Sequence, residues 1–415
     1  MRFLKNRFIG CACAAAFALL AAACLKPVKA VEDKDDIVVW EQEDAAVAPF
    51  IDSVFADFKK LPGNEKVAVT RVHYQNEDLR QQFQTASIAE TGPDLIMCPS
   101  DFGGVFSVAG FILPVDGLFE LGKYNTAVLD AVRLDGHTWG VPISNGNHLM
   151  LMYNKKFLHR APENTDEMLA FCATAKARGL DYCMAMDMGE PFWLVPWLGG
   201  FGGWPIDGHR PTLDTKAMRA TIDFYLDLKF GKKYVPEECD YNCIDGMFKE
   251  GRVAMIVNGD WALQSYQARF GQDFGTGKIP RNSATGLWPA PMISGKYFML
   301  NAALAGKKEK LEKIKELVEF YTSRDNQIRQ IEVLKRLPAL KAANDAPQIK
   351  ANPVLAGSME QILAGKPMPL ATEMRAVWDA MRPYQGKIMT KKETPRSGLE
   401  KMQLDADSKI KEMNR

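Results

Sequence analysis

The sequence predicts an α/β protein folded as two lobes, and three stretches carry that prediction. Residues 37–97 alternate strand, helix, strand, helix, strand, an order that builds a parallel sheet with right-handed crossovers. A second apolar series opens at Leu149-Met150-Leu151-Met152-Tyr153-Asn154 and runs to about Pro280, enough chain for a second sheet with its own core. The third stretch is Met247–Tyr266. A charged helix end closes on Gly251, and Val253–Val257 is the short, β-branched apolar run of a strand covered on both faces. Asn258-Gly259 reads as a turn, with Asp260 as N-cap of a helix beginning at Trp261. That places Trp261 where a buried strand hands over to a helix, the edge of an α/β sheet at which ligands bind. A core tryptophan at a helix start is the alternative.

In order, Ile37-Val38-Val39-Trp40 is a buried strand followed by the acidic loop Glu41–Asp44. Ala46–Lys60 is a helix whose apolar face is Phe50, Ile51, Val54, Phe55 and Phe58. Val67–Val72 alternates as a strand, Asp78–Ala89 is helical, and Leu95-Ile96-Met97 is the third strand, with Asp101 just beyond it. Asp135-Gly136 turns a hairpin. The polar segment Ile143–His148 marks a crossing between lobes, and Asn282–Ser294 a return crossing. Leu311–Tyr321 is an amphipathic helix, and the rest is helical except near Gly365–Pro369.

The chain of 415 residues is 47% hydrophobic and 25% charged, an ordinary globular composition. Its net charge is +1, and −2 once Arg2, Lys5 and Arg7 of the first 23 residues are set aside, which leaves no electrostatic footprint for nucleic acid. Those three cations precede the apolar run Phe8–Ala23, the pattern of an export signal. Leu20-Ala21-Ala22-Ala23-Cys24 resembles a lipobox with Cys24 as the lipidated residue, although Ala21 stands where a larger aliphatic is usual. Cleavage after Val28-Lys29-Ala30 is the rival reading. Cysteine usage agrees with export. Glu238–Cys243 is short enough to close a small disulfide between Cys239 and Cys243, and Cys172–Cys183 would clip a helix to the next strand. The spacing leaves the pairing open.

Catalytic and cofactor motifs are missing: no phosphate-cradling Gly-Lys-Ser/Thr loop, no His-Glu-x-x-His metal helix, and five scattered histidines. One enzyme reading survives, with Cys98 as a nucleophile and a nearby carboxylate such as Glu190 as base. The odd residues have a better common account. Phe192, Trp193, Trp197, Trp204, Trp261 and Trp378 are large aromatics, several in Gly/Pro-rich surroundings, while Asp44, Asp101 and Glu190 follow strands or turns. Aromatic faces suit the flat faces of sugar rings and carboxylates suit their hydroxyl rims.

From Ile37 onward the chain resembles the extracellular solute-binding proteins of ABC importers, of the maltose/maltodextrin-binding type. TGPDLIM followed by DFGG, AVRLDGHTWGVPI, LMYNKKFL, GEPFW followed by LGGFGGW, FKEGRVAMIVNGDWAL and MPLATEMRAVWDAMR stand in the family's order at nearly its spacing. The resemblance implies the two-lobed type II periplasmic-binding-protein fold. It places residues 37–144 and 292–338 in the N-terminal lobe and 145–291 and 339–415 in the C-terminal lobe, behind a signal at 1–23 and a tether at 24–36. It implies ligand contacts from Glu190, Phe192 and the adjacent Trp193, stacking by Trp261 and Trp378, a nearby Arg382, and hydroxyl acceptors at Asp44 and Asp101. Asn147 takes the place of a hinge-proximal Glu. The expected protein is an exported, lipid-anchored, monomeric binder without cofactor or metal. It would capture a di- or oligosaccharide by hinge closure and deliver it to membrane permease subunits. The first lobe departs from the family: Ala45 replaces a Lys, Cys98 a stacking Trp, and Asp101 runs into Phe102 without the usual Arg. Another polar solute such as a sugar phosphate, or the Cys98 enzyme, are the competing readings.

Overall fold

The computed structural model describes residues 36–413. The export signal, Cys24 and the tether up to residue 35 lie outside the described residues.

Two sheets organise the chain. In the first, the strands run in the order Leu337–Pro338, Val141–Gly146, Met292–Asn301, Leu95–Pro99, Ile37–Glu41, Val69–His73. Ile37–Glu41 pairs in parallel with both Val69–His73 and Leu95–Pro99. The sheet as a whole is mixed, because Met292–Asn301 inserts antiparallel between Leu95–Pro99 and Val141–Gly146. The parallel expectation therefore holds only for the three strands whose connections are local. The second sheet runs Phe274–Gly277, Leu149–Asn154, Val253–Gly259, Tyr182–Ala185. Val253–Gly259 is parallel to Tyr182–Ala185 but antiparallel to Leu149–Asn154.

Hydrophobic patterning explains the layers. Helix Ala48–Phe58 buries Phe50, Ile51, Val54, Phe55 and Phe58, one stripe at helical spacing, against the first sheet. Val253, Ala254, Met255, Ile256 and Val257 are all fully buried, so helices cover both faces of that strand. Each large apolar side chain there contributes about 1.5–3 kcal/mol by burial, and truncating Ile256 to Ala would remove about 2–5 kcal/mol. The C-terminal helices Pro353–Ala364, Glu373–Met389 and Pro395–Met413 add Val354, Val377, Trp378, Leu399 and Met402 to the second core. Two disulfides reinforce this lobe. Cys172–Cys183 ties helix Thr165–Cys172 to strand Tyr182–Ala185, and Cys239–Cys243 brackets the start of helix Tyr241–Lys249.

The chain crosses from the first sheet to the second between Gly146 and Leu149. Gly146 has φ +134° and Asn147 φ +45°; a side chain on Gly146 would collide with the Asp260 carboxylate. Asp260 Oδ2 accepts from the Asn147 backbone N–H at 3.1 Å. This corrects the expected N-cap role of Asp260: its carboxylate is used by the crossing segment, and residues 260–262 form a short 3₁₀ turn before helix Leu263–Phe270. Asn258-Gly259 is no turn either. The strand continues through Gly259, which is glycine for space, since a Cβ there would fall inside the Trp261 indole.

Candidate functional site

A cleft of about 390 Å3 lies between the two sheets. The carboxyl ends of the parallel strands deliver most of its walls, as the geometry of open α/β sheets predicts. On the first-lobe side, Ile37–Glu41 leads into Gln42, Glu43 and Asp44. Val69–His73 leads into Gln75, Asn76 and Glu77, and Leu95–Pro99 into Asp101. Lys296 joins them from Met292–Asn301, where the pairing with Val141–Gly146 shifts register between Lys296 and Tyr297. Such a shift re-aims a side chain.

The second-lobe side is aromatic. Phe192 opens helix Pro191–Gly200, and its ring lies 6.3 Å from Trp261 and 6.5 Å from Trp378, centroid to centroid. Trp193 backs this group edge-on to Trp261 at 6.1 Å, with its indole N–H donating to the Val257 carbonyl at 2.8 Å. Trp378 and Arg382 lie one turn apart on the same face of Glu373–Met389. Arg382 grips Glu190 with two hydrogen bonds, Nε to Oε2 at 3.1 Å and Nη2 to Oε1 at 3.0 Å, the fork geometry that fixes a carboxylate in place.

Charges are distributed unevenly. Burial pushes Glu43 up, but Arg336 at 2.6 Å, aided by Lys296, overrides it and holds the carboxyl at about 2. Its Oε1 is buried without a hydrogen-bond partner. Burial, reinforced by the charge of Glu77, raises Asp101 to about 6, and Asp101 Oδ1 also lacks a partner. Asp187 reaches about 6 through burial, against the opposing N–H donors of Gly189 and Glu190. Asp44 is raised by burial although the Tyr241 hydroxyl donates to it at 2.6 Å. The cleft therefore sets carboxylates, two of them with an unpartnered buried oxygen, on one wall and flat apolar faces on the other.

All nine residues expected at a ligand site, Asp44, Asp101, Asn147, Glu190, Phe192, Trp193, Trp261, Trp378 and Arg382, line this cleft. Trp193 stands mainly behind it, 6% exposed. Trp197 is buried in the core and Trp204 packs against it, neither lining the cleft. Sequence reasoning missed Glu43, Glu77, Asp187, Tyr241 and Lys296. The run Glu41–Asp44 is acidic enough to have flagged Glu43, whereas nothing local marks Lys296. Cys98 is a correction. Its side chain lies inside the first-lobe core with Phe102, Phe106 and Tyr297, and burial pushes its thiol well above the ordinary range. A buried neutral thiol that does not line the cleft is no nucleophile for a ligand held there.

Comparison with known proteins agrees with this geometry. Residues 53–357 match the family described as bacterial extracellular solute-binding protein. The maltotriose-bound maltose/maltodextrin-binding domain of Bdellovibrio bacteriovorus superposes with a TM-score of 0.85 at 31% identity, covering 91% of this chain and all of that one. The maltotriose-binding protein of Pyrococcus abyssi is 25% identical, over 83% of this chain and 76% of its own length. The galactooligosaccharide-binding protein of Bacillus subtilis is 24% identical over 99% of both. Two α/β lobes around one cleft, and a family match across most of the sequence, make this chain a member of the bacterial extracellular solute-binding proteins, of the maltose/maltodextrin-binding type.

Proposed function

We propose that the cleft binds a short neutral oligosaccharide, stacked on Trp261, Trp378 and Phe192 and hydrogen-bonded by Glu43, Asp44, Asp101, Glu190, Asn147, Lys296 and Arg382. The chain is the carbohydrate-binding component of an ABC import system, working outside the cytoplasm. The observation that carries the ligand reading is the contrast between walls. Glu43 and Asp101, each with one buried carboxylate oxygen that has no partner, line a cleft whose other side is aromatic. An unmet buried acceptor is expensive, and a hydroxyl satisfies it while the same sugar ring covers an aromatic face. The relatives from Bdellovibrio, Pyrococcus and Bacillus, which carry maltotriose or galactooligosaccharide in their names, support the same class. Binding would engage both lobes and so stabilise the closed arrangement that a permease recognises, with no bond broken. A monomer held at the membrane through Cys24 completes the proposal.

A sugar phosphate fits less well. Arg382 is committed to Glu190, and the cleft holds more carboxylates than cations. Thermal shifts of the mature protein against mono-, di- and oligosaccharides test the reading. A ligand at a hundredfold excess over its Kd stabilises by about 2.7 kcal/mol, so the true saccharide raises Tm clearly. A folded protein that responds to none of them overturns it.

A further inference from the structure

Tyr241 joins the two walls of the cleft. Its hydroxyl accepts from the Trp261 indole N–H at 3.0 Å and donates to Asp44 Oδ2 at 2.6 Å. One phenol thus links a stacking tryptophan of the second lobe to a carboxylate of the first. Burial, with the charge of Asp44, pushes the Tyr241 hydroxyl far above its ordinary range, so it keeps its proton and the donor direction of the bond is fixed.

The backbone beneath this side chain is weakly held by secondary structure alone. Tyr241 is the first residue of its helix, where backbone N–H groups have no intrahelical partner. Two other devices hold it. The Asp240 side chain caps the helix by accepting from Cys243 N at 3.0 Å, and the Cys239–Cys243 disulfide closes the five residues around Tyr241. The two disulfides among the described residues stand in different places. Cys172 and Cys183 are 3% and 1% exposed within the second-lobe core, whereas Cys239 is half-buried and Cys243 exposed, two residues either side of the cleft residue Tyr241. The Cys239–Cys243 pair is the more accessible to a reductant, and of its two residues only Cys239 packs against the core.

We propose that Tyr241 is a ligand-positioning residue held in place by the Cys239–Cys243 disulfide, so that reduction of this one disulfide weakens saccharide binding without unfolding the lobe. It rests on the saccharide reading for its ligand. Reduction by dithiothreitol breaks the S–S bond and leaves two thiols; the two electrons and two protons come from the dithiol, which leaves as its cyclic disulfide. The freed loop regains backbone and side-chain freedom that binding must then remove, and the Trp261 indole loses its fixed acceptor. Ordering one such side chain again corresponds to about a three- to tenfold rise in Kd.

The test uses the full mature chain, oxidised, dithiothreitol-treated with thiols counted, and as the Cys239→Ser/Cys243→Ser and Tyr241→Phe variants. The expected result is a three- to tenfold weaker Kd for the best saccharide of the panel in the reduced and serine forms, with far-UV circular dichroism unchanged. Tyr241→Phe shows a similar loss, and reduction adds nothing further in that background, since both changes remove the same contact. An unchanged Kd after two thiols appear overturns the proposal, as does an equal effect of reduction in Tyr241→Phe. Tryptophan emission, compared with Trp261→Phe to isolate residue 261, needs no ligand. If no saccharide binds the oxidised protein, the saccharide reading fails separately, and emission from Trp261 that ignores reduction overturns the positioning by the disulfide as well.

Discussion

Glu77, at the start of helix Asn76–Ile88 in the first lobe, forms an ion pair with Arg375 on helix Glu373–Met389 of the second, Oε2 to Nη1 at 3.1 Å. Arg382 Nη2 approaches the same carboxylate at 3.6 Å. Burial works to raise the Glu77 carboxyl, but Arg375, Arg382 and Arg80 together hold it below its ordinary value. The pair spans the cleft mouth, so it favours closure, yet the Glu77 side chain is 36% exposed. Such a pair contributes up to about 1 kcal/mol. Glu77→Gln is therefore expected to weaken ligand affinity by no more than about fivefold at low salt. The difference from the parent should shrink in about 1 M salt, where screening acts within about 3 Å. Titrations at the two salt levels check this, and a gap that ignores salt would contradict an electrostatic link.

Stacking predicts a different signature. Trp261 is only partly buried, and Phe192 tilts toward it at 38°. Trp261→Ala should raise Kd about five- to tenfold or more, from the loss of roughly 1 kcal/mol or more of aromatic contact, while Tm of the free protein moves little. Trp378 is 6% exposed inside the second core, so Trp378→Ala should also cost about 3–5 kcal/mol of stability. Trp378→Phe is the cleaner probe of binding, read by isothermal titration alongside the unfolding midpoint.

The elements most legible in the sequence are those whose pattern has one physical solution. The all-apolar Val253–Val257 run has to be a strand covered on both sides, and the stripe from Phe50 to Phe58 has to face a core. The resemblance located Asp44 and Asp101 beyond the ends of parallel strands, where such sheets meet a ligand, but not Glu43, Glu77 or Asp187, which follow parallel strands as well. Lys296 was not legible, since a register shift deep in an antiparallel pairing brings it to the cleft. Tyr241 lies between two cysteines with no site signal of its own, because its partners Asp44 and Trp261 are 197 and 20 residues away. Gly259 read as a turn for want of knowing that an indole folds back over it.

Asp101 and Asp187, both raised to about 6, predict two opposite pH dependences. Each carboxyl titrates from an ordinary 3.8 in the unfolded chain. The folded state therefore holds protons more tightly, and a penalty grows as pH rises from about 4 through 6 and is full above it. For Asp101 that penalty is at most about 3 kcal/mol. Free protein should accordingly melt higher at about pH 5 than at pH 7, and Asp101→Asn should remove part of that difference. Ligand hydroxyls that donate to ionised Asp101 act the other way, so affinity should fall several-fold over the same acid shift, with protons released on binding at pH 6. Melting and titration calorimetry across this range separate the two effects.

Glu43 provides the sharpest separation of stability from recognition. One of its oxygens receives Arg336 at 2.6 Å, with the side chains 2% and 4% exposed, while the other is buried without a partner in a residue that lines the cleft. Removing one member of a buried pair leaves the other charge uncompensated, so Glu43→Ala should lose about 3–5 kcal/mol. Replacing both, as Glu43→Gln/Arg336→Met, removes the stranded charge and should recover much of that stability. It does not restore a charged acceptor facing the ligand, so affinity should stay low in the double variant. The acid limb of the parent's stability follows from the same pair. A carboxyl lowered from 4.5 to about 2 supports the fold fully above its unfolded value and loses that support as pH falls from about 4.5 through 2. Denaturant melts of the parent, single and double variants at neutral and acid pH, set beside their saccharide titrations, check each step. Recovery of affinity together with stability in the double variant would show that Glu43 serves only to hold Arg336.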